Sequence, residues 1–141
     1  MKNLFLRRAY NRLMITHVTH GIRISVETFY QQDYSNPVNW EYMFAYRITI
    51  ENTSSFTVKL LKRYWKIFDS IGELKEIEGV GVVGKQPILK PGESHQYVSG
   101  CSLRSEVGRM SGNYLMQRLD DGKLFRVIIP EFELVAPLKL N

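Results

Sequence analysis

The clearest pattern along the chain is a strict alternation of apolar and polar positions between residues 40 and 51. Six large apolar side chains occupy every second position there: Trp40, Tyr42, Phe44, Tyr46, Ile48 and Ile50. A helix, with its period of 3.6 residues, would scatter these positions around its axis, whereas a strand places all of them on one face. We therefore expect a central strand here. A shorter alternation of Ile22, Ile24 and Val26 predicts a half-buried strand before it.

One pair of adjacent apolar residues breaks the alternation that follows. Val58 and Leu60 share one parity, but after Leu61 the apolar positions Trp65 and Ile67 fall on the other. One extra residue that switches the inward face is what a β-bulge produces. The sequence therefore predicts a long strand with a bulge at Leu60-Leu61.

The second half of the chain predicts short strands separated by turn signals. The expected strands comprise residues 73–78, 94–99, 114–119, 124–129 and 132–135. The first is charged, which suits a sheet edge, and the third and fourth flank a hairpin turn at residues 120–123. Residues 100–112, which include three glycines, are expected to form a long loop, and Pro130 is expected to interrupt strand pairing.

These segments amount to seven or eight short strands and no convincing helix, a pattern typical of an all-β, antiparallel β-sandwich. Cys101 is the single cysteine, so the cysteine pair of an antibody domain is excluded. A fibronectin type III-like or other immunoglobulin-like sandwich remains. A chain of 141 residues is long enough for one such domain, which we expect over residues 15–141.

Positive charge is concentrated at the N-terminus. The net charge is +5, and residues 1–14 contribute most of it through Lys2, Arg7, Arg8 and Arg12, with no acid among them. We therefore expect a basic arm over residues 1–14 and a nearly neutral body, which does not favour nucleic-acid binding. The apolar runs are too short for a membrane span, and the early arginines interrupt any export signal, so a cytoplasmic location is expected.

Residues 78–93 contain glycines in the spacing of a dinucleotide-binding fingerprint, namely Gly79, Gly81 and Gly84. That fingerprint requires a helix after its third glycine, and Pro87 and Pro91 forbid a helix interior here. Two interpretations remain open. Either the glycines serve a loop between two strands, or successive backbone N–H groups, with Lys85 nearby, cup a phosphate as an anion nest.

Several segments together resemble the ApaG family. They are Arg63-Tyr64-Trp65, residues 79–87, Pro91-Gly92-Glu93, residues 97–100, residues 108–114 and residues 129–132, in the family's order over roughly residues 18–137. The resemblance implies a fibronectin type III/immunoglobulin-like sandwich. It also implies a link to cobalt and magnesium resistance or efflux, under the name CorD, and a pyrophosphate-binding role for the glycine motif. The family pattern usually has histidine where Tyr64 stands, and the resemblance carries over no catalytic residue.

The remaining reactive side chains do not predict a catalytic or metal site. His17 and His20 are three residues apart, which places them on opposite faces of a strand, and His95 has only Glu93 beside it. Cys101 with His95 has the composition of a nucleophile and its base, but a lone cysteine at a strand end is usually an apolar filler. No metal, cofactor or catalytic residue is therefore expected.

These observations predict a non-enzymatic, ApaG-like binding module associated with cobalt or magnesium homeostasis. The candidate anion-binding residues are Gly79, Gly81, Gly84, Lys85 and Arg63, and the expected ligand is a phosphate or pyrophosphate anion. A protein partner is also expected, and a homodimer is left open. The alternatives are a hydrolase or transferase acting on phosphorylated nucleotides, or a domain that serves protein–protein interaction alone.

Overall fold

The computed structural model describes residues 14–137, which form nine strands and two short 3-10 turns. The strands are β1 (Ile15–Thr19), β2 (Ile22–Tyr30), β3 (Tyr42–Asn52), β4 (Val58–Asp69), β5 (Glu73–Val80), β6 (Ile88–Leu89), β7 (Ser94–Leu103), β8 (Val107–Arg118) and β9 (Leu124–Val135). The 3-10 turns, Gln32–Tyr34 and Pro37–Asn39, lie between β2 and β3. The predicted basic arm lies outside the described residues, apart from Met14. No helix within residues 14–137 has the length and apolarity needed to cross a membrane.

The strands form two antiparallel sheets, which confirms the predicted all-β sandwich. The first sheet has the order β1-β2-β3-β7, and the second has the order β5-β4-β8-β9, with the two-residue β6 paired to β4. The nine observed strands exceed the expected seven or eight, because β1 and β6 are too short to have been predicted from the alternation. The inner faces supply one core, in which Tyr46, Trp65 and Phe132 pack with ring centroids 5.6–5.9 Å apart.

The central strand is confirmed over residues 42–52, but the prediction that Trp40 belongs to it is wrong. Trp40 ends the second 3-10 turn, with its N–H donating to the Pro37 carbonyl, a φ of 57° and 64% of its surface exposed. The left-handed conformation at this residue turns the chain before pairing begins. Hydrogen bonding within the turn therefore overrides the alternation at its first position.

The predicted bulge in β4 is confirmed. Leu60 lies opposite Met116 and Lys62 lies opposite Leu115, so Leu61 is the extra residue on its strand. The bulge turns Trp65 inward, and its side chain is only 3% exposed.

The prediction of a long loop over residues 100–112 is wrong. Strand β7 continues to Leu103 and β8 begins at Val107, so only three residues connect them. The glycines lie within strands, and at two of them a neighbouring backbone approaches closely: a Cβ atom would lie 2.5 Å from the Phe68 carbonyl oxygen at Gly108 and 2.0 Å from the Tyr64 carbonyl oxygen at Gly112. Pro130 likewise does not end its strand, because a register shift opposite residues 110–112 places it in a bulge of β9.

The two lateral sides of the sandwich differ. On one side β1 and β9 meet, and the Ile128 N–H donates to Thr19 Oγ1 at 3.1 Å. On the other side, among residues 14–137, β5 and β7 each pair with one strand only. We call this second side, bounded by β5 and β7, the open side.

Candidate functional site

The glycine stretch forms a tight hairpin turn after β5. The Val82 N–H donates to the Lys85 carbonyl at 2.8 Å, and the Lys85 N–H donates back to Val82 at 3.0 Å. The two residues between them, Val83 and Gly84, have φ of 46° and 74°, as a type I′ turn requires. The stretch is thus a loop between strands, and no helix follows Gly84 to build a dinucleotide site.

The bulge in β4 anchors this loop. The carbonyl of Leu61 accepts the Gly81 N–H at 2.9 Å and the side-chain amide of Gln86 at 3.0 Å. A Cβ atom at Gly81 would lie 2.2 Å from the Lys85 carbonyl oxygen, so the turn closes over a position that only glycine fits. The loop therefore has a fixed backbone.

Most of the N–H groups that an anion nest would use are already engaged. Those of Gly81, Val82 and Lys85 all donate to backbone carbonyls. Within residues 14–137, the N–H groups of Val83 and Gly84 at the tip of the turn have no carbonyl partner. Any anion at this loop would therefore contact the tip of the turn and the side chains around it.

Arg63 is the side chain that ties β4 to the start of the loop. Its Nη1 donates to the carbonyls of Val80 and Gly81, both at 3.0 Å. The guanidinium lies against Gly79, where a Cβ atom would be only 2.7 Å from both terminal nitrogens. Gly79, Gly81 and Arg63 thus form one contiguous group, which we call the Arg63 corner.

Three buried tyrosines lie within electrostatic reach of the Arg63 corner. Tyr97 and Tyr114 share a hydrogen bond between their hydroxyl groups, and both are almost fully buried, like Tyr46. Burial raises the pKa of all three phenols, and the positive charge of Arg63 partly opposes that rise in each case. Arg63 therefore opposes, by its charge, the effect of burial on these three hydroxyl groups.

Lys85 and Gly84 lie at the exposed tip of the turn, where the Lys85 carbonyl closes over Gly81 of the Arg63 corner. Burial lowers the pKa of His95 on β7, and the charge of Lys85 lowers it further. The charge of Lys85 is therefore expected to act on His95. The five predicted residues thus divide into a corner and a tip, both at one end of the open side.

At the other end of the open side lies a cleft of about 220 Å³, which we call the β5–β7 cleft. Its walls come from the end of β4, from β5 and from the second half of β7, and include Ile67, Lys75, Ile77, Cys101 and Leu103. Burial raises the pKa of the Cys101 thiol to about 11, although Lys75 lowers it slightly. Cys101 is therefore a buried thiol in a strand and not a reactive residue in a loop.

Comparison with known proteins identifies the family. The ApaG domain model matches residues 32–118, more than half of the chain. The chain belongs to the ApaG family. Protein ApaG of Brucella anthropi is 51% identical to this chain over 124 residues, which cover 88% of the chain and 95% of that relative. Protein ApaG of Brucella abortus (strain S19) is 48% identical over the same shares.

The ApaG fold is also found among solved structures. The crystal structure of the putative ApaA protein from Bordetella pertussis superposes with a TM-score of 0.80 and 39% identity, covering 84% of this chain and 95% of that one. The resemblance inferred from the motifs is confirmed, as is the sandwich that it implied. The names of these relatives state no catalytic activity.

The histidines are dispersed in this ApaG-family structure. His17 lies on β1, His20 packs edge-on against Phe125, and the Glu93 carboxylate accepts the Lys90 N–H at 2.7 Å. Across the described range, no three His, Cys, Asp or Glu side chains are grouped to hold a metal ion.

The sequence interpretation missed Lys75 and Ile77 as residues of the β5–β7 cleft. Alternation shows that the two side chains share one face of β5, but it does not show which strand lies opposite that face.

Proposed function

We propose that this ApaG-family protein is a non-enzymatic binding module that takes a phosphate- or pyrophosphate-type anion at the Arg63 corner. The observation that supports this proposal is the anchoring of Arg63 through Nη1 alone. Within residues 14–137, no acceptor is bonded to its Nε or Nη2. These two N–H groups form the side-on fork that suits two oxygens of a phosphoryl group.

A second phosphoryl group would meet the tip of the turn. Lys85 adds a positive charge there, and the Val83 and Gly84 N–H groups add donors that no carbonyl of residues 14–137 accepts. A pyrophosphate can use both places, whereas a single phosphate can use only one. Pyrophosphate is therefore expected to bind more tightly than phosphate.

The cellular role that we propose follows the family resemblance. It is participation in cobalt and magnesium homeostasis in the cytoplasm, through an anion or a protein partner and without a metal site of the protein's own. Growth of a strain lacking the gene, in graded cobalt and magnesium, tests this role. The role is refuted if the deletion strain and the same strain with the gene restored show equal sensitivity to both ions.

Calorimetric titration tests the anion site. Pyrophosphate, ATP and diadenosine tetraphosphate are titrated into the protein with and without Mg²⁺ or Co²⁺. We expect binding, and we expect Arg63→Met to abolish it. The control variant Arg23→Met should bind normally, because Arg23 is an exposed partner of Glu51 on the other sheet. Absence of heat with all three ligands would exclude the anion site, and release of a product would instead support the hydrolase or transferase alternative.

A further inference from the structure

On the open side, β5 and β7 are the edge strands of the two sheets. β5 extends the second sheet along the open side, and all of its residues except Gly79 are exposed. The β5–β7 cleft lies between β5 and the edge of β7. We propose that an extended segment of a partner protein pairs with the outer edge of β7 and fills this cleft as an added strand.

The edge of β7 carries none of the usual protection against strand pairing. Its ten residues include no Lys, Arg, Asp, Glu or Pro. By contrast, the eight residues of β5 include three glutamates and a lysine. Edge strands normally carry charges or proline to prevent association, so an uncharged edge of this length is typical of a strand that receives a partner.

The register of β7 shows which of its backbone groups face the open side. The Asn52 N–H donates to the Glu93 carbonyl, so the residues of β7 that follow Glu93 at even spacing point their N–H and C=O groups toward β3. The intervening residues point theirs outward, and these are Ser94, Gln96, Val98, Gly100 and Ser102. This row offers a partner strand several backbone hydrogen bonds.

Side chains on the inner face of β5 define the chemistry of the partner. Glu73, Lys75, Ile77 and Gly79 alternate along that face, and the guanidinium of Arg63 lies over Gly79, which has no side chain of its own. A strand added to β7 would face this row with residues spaced two apart, about 7 Å. Its complement is an acidic residue opposite Lys75, an apolar residue opposite Ile77 and an acidic residue opposite Arg63, with a basic residue opposite Glu73.

A second copy of this chain fits the site poorly. If it contributed its own β7, the residues facing the cleft would be Tyr97, Ser99 and Cys101, none of which carries an acid. Pairing between two β5 strands would bring Glu76 and Glu78 of each copy together, which like-charge repulsion opposes. The occupant is therefore an extended peptide with the core pattern acidic–x–apolar–x–acidic and a basic residue two positions beyond the acid that faces Lys75.

A fluorescence anisotropy titration tests this site with a labelled peptide of about nine residues that contains Glu-Thr-Ile-Thr-Glu. We expect Lys75→Glu and Ile77→Ser to weaken binding by about tenfold or more. The matched variants Lys66→Glu and Leu74→Ser, on the opposite face of the same sheet, should bind as the unmodified protein does. A peptide with lysines in place of the glutamates should bind more weakly.

Hydrogen exchange locates the contact on the backbone. Bound peptide should protect the amides of Gln96, Val98, Gly100 and Ser102, and Val98→Pro should weaken binding because it removes an outward donor without breaking the pairing with β3. Circular dichroism and thermal melting establish that each variant is folded. Absence of peptide binding, equal binding to Ile77→Ser, or protection elsewhere would overturn the proposal. A dimer that the peptide does not dissociate would overturn it in favour of a second copy.

The peptide site does not rest on the proposed anion site, although both use Arg63. Ile77→Ser removes an apolar contact and no charge, so it should weaken the peptide while leaving pyrophosphate binding unchanged. The two proposals can therefore fail separately.

Discussion

Gly79→Ala tests whether Gly79 is present to make room for Arg63. Gly79 has a negative φ, so its backbone does not require glycine. Its added Cβ would instead lie 2.7 Å from both terminal nitrogens of Arg63 and 2.8 Å from the carbon between them. The side chain of Arg63 must move away, and its two hydrogen bonds to the Val80 and Gly81 carbonyls are lost.

The expected cost follows from those two bonds. Hydrogen bonds from a charged donor contribute about 1.5–3 kcal/mol each when buried. One of these bonds is exposed and the other only partly buried, so we take less than half of that value, about 1.5 kcal/mol for the pair. Alanine in a strand recovers about 0.5 kcal/mol relative to glycine. The net loss is about 1 kcal/mol, or about 3 °C in Tm.

A double-mutant cycle with Arg63→Ala isolates the contact. Urea denaturation of the four proteins should show that Gly79→Ala costs about 1 kcal/mol alone and nothing, or a small gain, once Arg63 is truncated. The same pair can be measured by pyrophosphate titration, where Gly79→Ala should weaken binding by displacing Arg63. Equal costs of Gly79→Ala in the presence and absence of Arg63 would refute the reasoning.

Three further predictions concern the core and the titrating groups. Gly112→Ala should cost about 3 kcal/mol or more in urea denaturation, because its Cβ would meet the Tyr64 carbonyl at 2.0 Å and neither backbone can move away; a cost below 1 kcal/mol would contradict this. The Cys101 thiol has its pKa raised by burial from 9.0 to about 11, so its contribution to stability is present below pH 9 and about 2.7 kcal/mol is lost as the pH rises through 11. Cys101→Ala should remove that part of the pH dependence, and an unchanged slope would count against it. The pKa of His95 is lowered first by burial and then by Lys85, so the free energy of unfolding should fall as the pH drops below about 6.5. In an NMR titration, Lys85→Met should raise the pKa of His95, by less than burial lowers it. An unchanged pKa of His95 in this variant would show that the two charges do not interact.

Much of the fold follows from local pattern. The alternation over residues 42–50 and the parity change at Leu61 predict β3 and the bulge in β4, because side-chain direction in a strand depends only on position along it. The charged β5 was correctly predicted as an edge strand.

The errors arise where a local signal has two physical meanings. A glycine indicates either a turn or a close approach of two backbones, and Gly108 and Gly112 are of the second kind. A proline ends a strand or lies in a bulge, and Pro130 does the latter. Which meaning applies depends on the neighbouring strand, which local sequence does not reveal.

The candidate site was only partly predictable for the same reason. Gly79, Gly81 and Arg63 are linked by strand pairing, yet the sequence could suggest them only as separate members of motifs. The β5–β7 cleft joins residues about 25 positions apart whose proximity depends on how the sheets stack. Composition did contain one signal, the absence of charge from β7, but its meaning depends on knowing that β7 is an edge.

Because Leu61 is the extra residue of a bulge, a substitution and a deletion at this position should have different consequences. A substitution changes one half-buried side chain and leaves the carbonyl that holds Gly81 and Gln86 in place. A deletion would let Leu60 and Lys62 pair with Met116 and Leu115 without interruption, so the later residues of β4 would keep their partners and faces. It would nevertheless remove the Leu61 carbonyl, and with it the anchor of the glycine loop. Residue 61 should therefore tolerate substitution during evolution but not deletion.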